Sequence, residues 1–146
     1  MKLTSFTDYS LRVLLYLAAD TTRRATVSEV AQAFGISEHH LTKVVHLLGK
    51  QGWIETVRGK GGGMVLAMDP KDIVVGRVVR DTEGAALPAE CFSEDGGACV
   101  ISGCCRLQGA LAEAVQAFYA VLDRYTLADI ARNRLALGRV LFLKAA

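Results

Sequence analysis

The sequence predicts a mostly α-helical chain with a small β wing, a helix-turn-helix and hairpin followed by a long helix suited to dimerisation. Three observations carry this expectation. Two short helical segments meet at Gly35-Ile36-Ser37, a glycine-rich run at 59–63 separates two short strand patterns, and apolar residues recur at three- and four-residue steps from Leu107 to Tyr125.

Phe6, Leu11, Val13, Leu14, Leu15, Tyr16, Leu17 and Ala18 place a largely buried helix over Ser5 to Ala19, capped by Thr4 or Ser5. Thr26-Val27-Ser28-Glu29 has capping-box form, so a second, short helix begins at Thr26 and stops at Gly35. Ser37 caps a third helix that ends near Gly52. Trp53-Ile54-Glu55-Thr56-Val57-Arg58 alternates like a strand, Gly59-Lys60-Gly61-Gly62-Gly63 is a turn, and Met64-Val65-Leu66-Ala67 returns. Asp69-Pro70 opens a helix over about Lys71 to Asp81, with Ile73, Val74, Val78 and Val79 packing inward. No period is visible from Glu83 to Cys104, and a loop of that length in a compact domain is usually functional. The stripe of Leu107, Leu111, Ala114, Val115, Phe118, Val121, Leu122 and Tyr125 then exceeds what a small winged domain needs, so its helix is assigned to an isologous dimer contact. A terminal helix over about Asn133 to Leu143 completes the chain. These elements divide it into a winged helix-turn-helix at 1–82, a cysteine loop at 83–105 and a dimerisation region at 106–146.

At 146 residues, 51% of them hydrophobic and 22% charged, the chain can bury a core without disulfide staples, so its four cysteines need another explanation. The expected compartment is cytoplasmic: no signal peptide or membrane span is visible, and thiols there stay reduced and more often serve metal or redox chemistry. A net charge of +2 does not by itself announce a nucleic-acid partner. Its distribution is more telling, since residues 1–60 carry eight basic against five acidic side chains.

The third helix presents Glu38, His39, His40, Thr42, Lys43 and His46, a polar face whose first residues reach base edges in a major groove. His39 and His46 stand about two turns apart with His40 turned elsewhere, which is no standard zinc spacing. Arg58 and Lys60 flank glycines that let the backbone approach a duplex while the cations enter a minor groove. A phosphate-binding loop is excluded because no helix N-terminus follows these glycines. The candidate contacts to double-stranded operator DNA are therefore Ser28, Ser37, His39, His40, Lys43, Arg58 and Lys60.

Seven residues separate Cys91 from Cys99 and five separate Cys99 from Cys105, with Gly96, Gly97 and Gly103 freeing the intervening backbone. Three thiolates suit an iron-sulfur core or zinc and leave one corner to be filled from elsewhere. By spacing alone, Cys104 fits the loop almost as well as Cys105.

Four segments together resemble the NsrR-type nitric-oxide-sensing repressors, with the IscR-type iron-sulfur regulators as cousins. They are Leu3-Thr4-Ser5-Phe6-Thr7-Asp8-Tyr9 with Leu11-Arg12, Val57-Arg58-Gly59-Lys60 with Gly62-Gly63, the loop ending Cys105-Arg106-Leu107, and Tyr125-Thr126-Leu127-Ala128-Asp129. The resemblance implies a homodimeric repressor whose iron-sulfur cluster, [4Fe-4S] in preference to [2Fe-2S], is held by Cys91, Cys99 and Cys105. It selects Cys105 and leaves Cys104 as a spare thiol. In the cousins a histidine three places after the last cysteine completes the ligation. Here Gln108 stands there, and the resemblance instead implies the carboxylate of Asp8 from the other subunit. A hard oxygen donor on a soft core leaves that iron the easiest to displace, and Arg12, one turn on, can pair with or steer the carboxylate. Nitrosylation by nitric oxide would then release the operator. The alternative within the same fold is a sensor of iron-sulfur supply or of oxidants. An enzyme is not expected, because no substrate pocket or acid–base pair is readable.

Overall fold

Thr4 starts the first helix, α1 (Ser5–Ala19), by accepting a hydrogen bond from the Thr7 N–H at 3.2 Å. The computed structural model describes residues 2–84, 89–93 and 97–143; the loop positions 85–88 and 94–96, Gly96 among them, and the terminal 144–146 lie outside these. Val13, Leu14, Tyr16, Leu17 and Ala18 of α1 are buried, and so are Thr7 and Ser10. The Ser10 hydroxyl is satisfied by donating to the Phe6 carbonyl at 2.8 Å. A helix buried on so many sides becomes the axle of the fold.

The expected capping box is present at α2 (Val27–Phe34): Glu29 N–H donates to the Thr26 hydroxyl at 3.2 Å, and Thr26 N–H donates to the Glu29 carboxylate at 2.6 Å. Gly35 closes that helix, and the Ile36 N–H reaches back to the Ala31 carbonyl at 3.0 Å. The next helix, α3 (Glu38–Lys50), follows at once, although Ser37 makes no side-chain cap. Leu41, Val44 and Leu48 turn one face of α3 into the core and leave the opposite face to solvent.

Strands β1 (Ile54–Val57) and β2 (Gly63–Leu66) pair antiparallel, Ile54 opposite Leu66 and Val57 opposite Gly63. Ala25 bridges Met64 through N–H···O bonds of 3.1 and 2.8 Å, which roots the hairpin beside α2. At the tip, the Gly62 N–H bonds the Gly59 carbonyl at 2.9 Å. A Cβ on Gly62 would lie 2.8 Å from that same oxygen and inside contact of the Val57 carbonyl, so only glycine fits this turn.

Two helix boundaries differ from expectation, for one reason. The fourth helix, α4 (Val75–Glu83), begins four residues later than Lys71, because Asp69-Pro70 forms a turn in which Asp69 accepts from the N–H groups of Lys71 and Asp72 at 2.9 and 2.8 Å. Ile73 and Val74 then run extended and pair with the chain that follows the fifth helix, α5 (Arg106–Leu122). Leu127 N–H donates to Ile73, Val75 N–H to Tyr125 and Ala128 N–H to Pro70, at 2.8, 2.9 and 3.0 Å. That pairing stops α5 at Leu122 rather than Tyr125 and starts α6 (Leu127–Ile130) with a second capping box, Thr126 and Asp129. Arg80 of α4 forks onto Asp123 with two bonds of 2.7 Å, and this hydrogen-bonded guanidinium holds the Asp123 carboxyl below its ordinary value.

The last helix, α7 (Arg134–Leu143), returns to α1, where Phe142 meets Tyr16 edge-on at 5.2 Å and Arg23 stacks over Phe142 at 4.7 Å. The core thus lies between α1, α2, α3, the base of the hairpin, α4, α6 and α7. α5 contributes no fully buried residue to it.

Candidate cluster loop and nucleic-acid interface

The loop holding the cysteines leaves α4 at Glu83 and re-enters helix at Arg106. Cys91 sits in a single 3-10 turn, Glu90–Phe92, and Cys105 occupies the residue just before α5. Cys91, Cys99 and Cys105 are half-buried, Cys104 is exposed, and all four thiols are free. Among the described residues, two side chains bond across the loop rather than within one turn of it. Glu90 accepts the Ala98 N–H at 3.2 Å, and Gln108 donates its amide to the Cys91 carbonyl at 3.0 Å.

Asp8 lies on the outer face of α1, where Arg12 grips both carboxylate oxygens, Nη2 to Oδ2 at 2.8 Å and Nε to Oδ1 at 3.1 Å. The expected pairing therefore exists, between two half-exposed groups. Among the described residues no three of His, Cys, Asp and Glu converge as a metal site. One chain presents the donors without closing them on an ion. Their chemistry nevertheless fits an iron-sulfur group: three partly shielded free thiols, no disulfide, and a carboxylate on a separate helix.

Glu83 ties the root of this loop to the start of α1, its carboxylate accepting from the Thr4 N–H at 2.8 Å and the Thr4 hydroxyl at 3.1 Å. Burial pushes the Glu83 carboxyl up, but hydrogen bonds from Thr7 and Thr4 outweigh it and hold the group below its ordinary value.

The other face carries the remaining candidates. Ser28 stands exposed in the first turn of α2, while Ser37, His39, His40 and Lys43 stand exposed at the start of α3. Arg58 and Lys60 are exposed on the wing. Between α3 and the wing runs a groove of about 820 Å³ lined by Thr42, His46, Lys50, Thr56 and Arg58 among others. Sequence reasoning did not place Lys50 there, since only the hairpin's fold brings it opposite Arg58. His40 also stacks on Tyr9 of α1, ring centroids 6.4 Å apart, so the residue after Asp8 touches the exposed helix directly.

An exposed polar helix after a tight turn, with a cationic glycine hairpin beside it, defines a winged helix-turn-helix DNA-binding transcriptional regulator. The sequence model of the Rrf2 family, described as "Iron-dependent Transcriptional regulator", matches residues 3–133, and the chain belongs to this family. It is 51% identical over 142 residues to the "HTH-type transcriptional regulator NsrR" of Geobacillus kaustophilus (strain HTA426), covering 97% of each chain. It is 47% identical over 145 residues to the protein of the same description from Bacillus subtilis (strain 168), covering 99% of each. Among solved structures it resembles "CymR (YrzC) the Global Cysteine Regulator of B. subtilis", with a TM-score of 0.69, 30% identity, and coverage of 91% of this chain and 98% of that one. These relatives are regulators of transcription and not enzymes, and so is this chain. Among the described residues no helix is long and apolar enough to cross a membrane.

Proposed function

We propose that the chain is a homodimeric repressor that senses nitric oxide through an iron-sulfur cluster, [4Fe-4S] in type, held by Cys91, Cys99 and Cys105 with Asp8 of the second subunit. The observation that carries this reading is the double role of α1. Its outer face bears the carboxylate, and its inner face packs on α3, with Tyr9 stacked on His40.

The assignment of the dimer rests on α5. Its apolar residues divide between two faces: Leu111, Val115, Phe118 and Leu122 are half-buried on the side towards α4, whereas Leu107, Ala110, Ala114 and Val121 stay exposed. Steps of three and four residues along the exposed set form a coiled-coil seam, which a symmetry mate covers with the same residues. Leu107 at 63% and Val121 at 44% exposure are what such a seam looks like without its partner.

When bound, the cluster supplies one iron on a hard carboxylate ligand, a position open to a small diatomic such as nitric oxide. Asp8 would hold that position and Arg12 would compete for it, because both oxygens of Asp8 are engaged by the guanidinium here. An exposed pair of this kind contributes only about 0.2–1 kcal/mol, so Arg12 captures a released carboxylate without preventing its ligation. Freed from the second subunit, α1 carries Tyr9 and therefore His40 with it, and the two α3 helices lose their common register on successive major grooves.

Operator affinity of the anaerobically reconstituted protein, measured with and without nitric oxide, tests the proposal. A coupling of about 1–3 kcal/mol corresponds to a 5- to 150-fold loss on exposure. Equal affinities refute it.

A further inference from the structure

The bonds that reach across the cysteine loop among the described residues come from Glu90 and Gln108 rather than from a thiol. Glu90, immediately before Cys91, folds back so that its Oε1 accepts the N–H of Ala98, the residue before Cys99. Gly97 adopts φ +62°, and a Cβ there would lie 2.8 Å from the Glu90 carbonyl oxygen, so the chain passes its own 3-10 turn too closely for any side chain at this position. The Ser93 hydroxyl donates to the same Glu90 carbonyl at 2.8 Å. Across the loop's other end, Gln108 in the first turn of α5 donates Nε2 to the Cys91 carbonyl at 3.0 Å, spanning 17 residues of sequence.

The first bond fixes where the backbone of Cys99 begins relative to Cys91. The second fixes Cys91 against the start of α5, where Cys105 stands. Three donors on a 15-residue stretch rich in glycine would otherwise sample many separations, and each must be ordered before a ligand can bridge them. We infer that Glu90 and Gln108 are positioning residues, which restrict the separations open to Cys91, Cys99 and Cys105 in the metal-free chain and so set how readily a thiophilic metal or cluster draws them together. This rests on the reading of the loop as a cluster site, within which Gln108 shapes the pocket through the Cys91 main chain and leaves the fourth position to another donor.

Two measurements test it on the full metal-free chain. The first is amide exchange by NMR at Phe92 and Ala98, and the second is a cobalt(II) titration followed by thiolate-to-metal absorption. Glu90→Ala removes the acceptor, Glu90→Gln keeps an oxygen in the same place, and Gln108→Leu keeps the helix but loses the donor. A typical hydrogen bond sets the scale at about 2- to 10-fold. Ala98 exchange should quicken by that factor in Glu90→Ala, Phe92 exchange in Gln108→Leu, and cobalt affinity should fall by the same factor in both, with Glu90→Gln close to wild type. Unchanged exchange and unchanged cobalt affinity in Glu90→Ala and Gln108→Leu overturn the inference. Wild-type protein that showed no thiolate–cobalt band would instead overturn the cluster reading, while the exchange rates would still decide whether these two side chains order the loop.

Discussion

Replacing Gly62 by alanine separates what the wing does from what the core does. The new Cβ falls 2.8 Å from the Gly59 carbonyl oxygen, 3.2 Å from the Arg58 carbonyl carbon and inside contact of the Val57 carbonyl. All three are main chain, so no side-chain rotation relieves them, and the turn must open and give up the Gly62–Gly59 hydrogen bond. Overpacking of this kind costs about 1–3 kcal/mol. The strain is released locally, because the far end of the hairpin is anchored by buried Ile54 and Met64 while the tip is exposed. Opening the tip displaces Arg58 and Lys60. If each neutralises one phosphate, the slope of log affinity against log salt falls by about 0.9 per contact, or about 1.8 in all. Between 50 and 200 mM salt the variant should therefore lose about tenfold less affinity than the wild type does. Fluorescence anisotropy of labelled operator DNA at four or five salt concentrations reads this slope directly, and a thermal melt on the same samples reads the core. An unchanged slope in Gly62→Ala would show that the wing cations make no phosphate contact, whatever happened to overall affinity.

Three further outcomes follow from the geometry. Ala114→Glu introduces a good helix former at an exposed position of a single chain, yet buries a carboxylate in the seam of a dimer. It should leave the circular dichroism unchanged and weaken association in sedimentation by at least about 2 kcal/mol, or thirtyfold. Glu83 titrates below its ordinary value in the folded chain, so its contribution to stability is complete above the unfolded carboxylate range and is lost as pH falls through the lowered folded value. Urea unfolding at pH 7 and pH 3 should show Glu83→Gln more strongly destabilised relative to wild type at the higher pH, the difference shrinking as the carboxyl is protonated. In anaerobic reconstitution, Cys104→Ser should keep the visible absorption of an iron-sulfur cluster, whereas serine at Cys91, Cys99 or Cys105 should abolish it. Loss in Cys104→Ser together with retention in Cys105→Ser would exchange their roles.

The sequence was most legible where local chemistry decides structure. Thr26 with Glu29, the stop at Gly35 and the glycines of the wing each act on groups three to five residues away, and each does locally what its residue type suggests. It was less legible where distant main chain decides. Asp69-Pro70 resembles a helix start, but Ile73 and Val74 are held extended by partners more than fifty residues away, at Leu127 and Thr126. That strip also truncates α5 and creates α6, whose capping box at Thr126 and Asp129 lies within a segment already singled out for its resemblance. The period of α5 was legible, but a period cannot tell one wide apolar stripe from two narrow ones, one facing α4 and the other facing outward. In the candidate site the cysteines stand out by type and spacing, whereas Asp8, and Cys105 in preference to Cys104, enter only through the family resemblance. The loop bonds of Glu90 and Gln108 could not be read there, because a side chain that bonds a main-chain group across a loop leaves no periodic trace.

The splice between Ile73–Val75 and Tyr125–Leu127 is hydrogen-bonded by peptide groups, together with Ala128 reaching Pro70. The hydrogen bonds of that joint do not depend on side-chain identity, but Ile73, Val75 and Leu127 are buried there, so the joint is also held by apolar packing. It also outlasts a break in the covalent chain. A protease that nicked the cysteine loop would yield two fragments still riveted across this joint and through the α7 aromatic stack on α1, separable under denaturant but migrating as one particle without it.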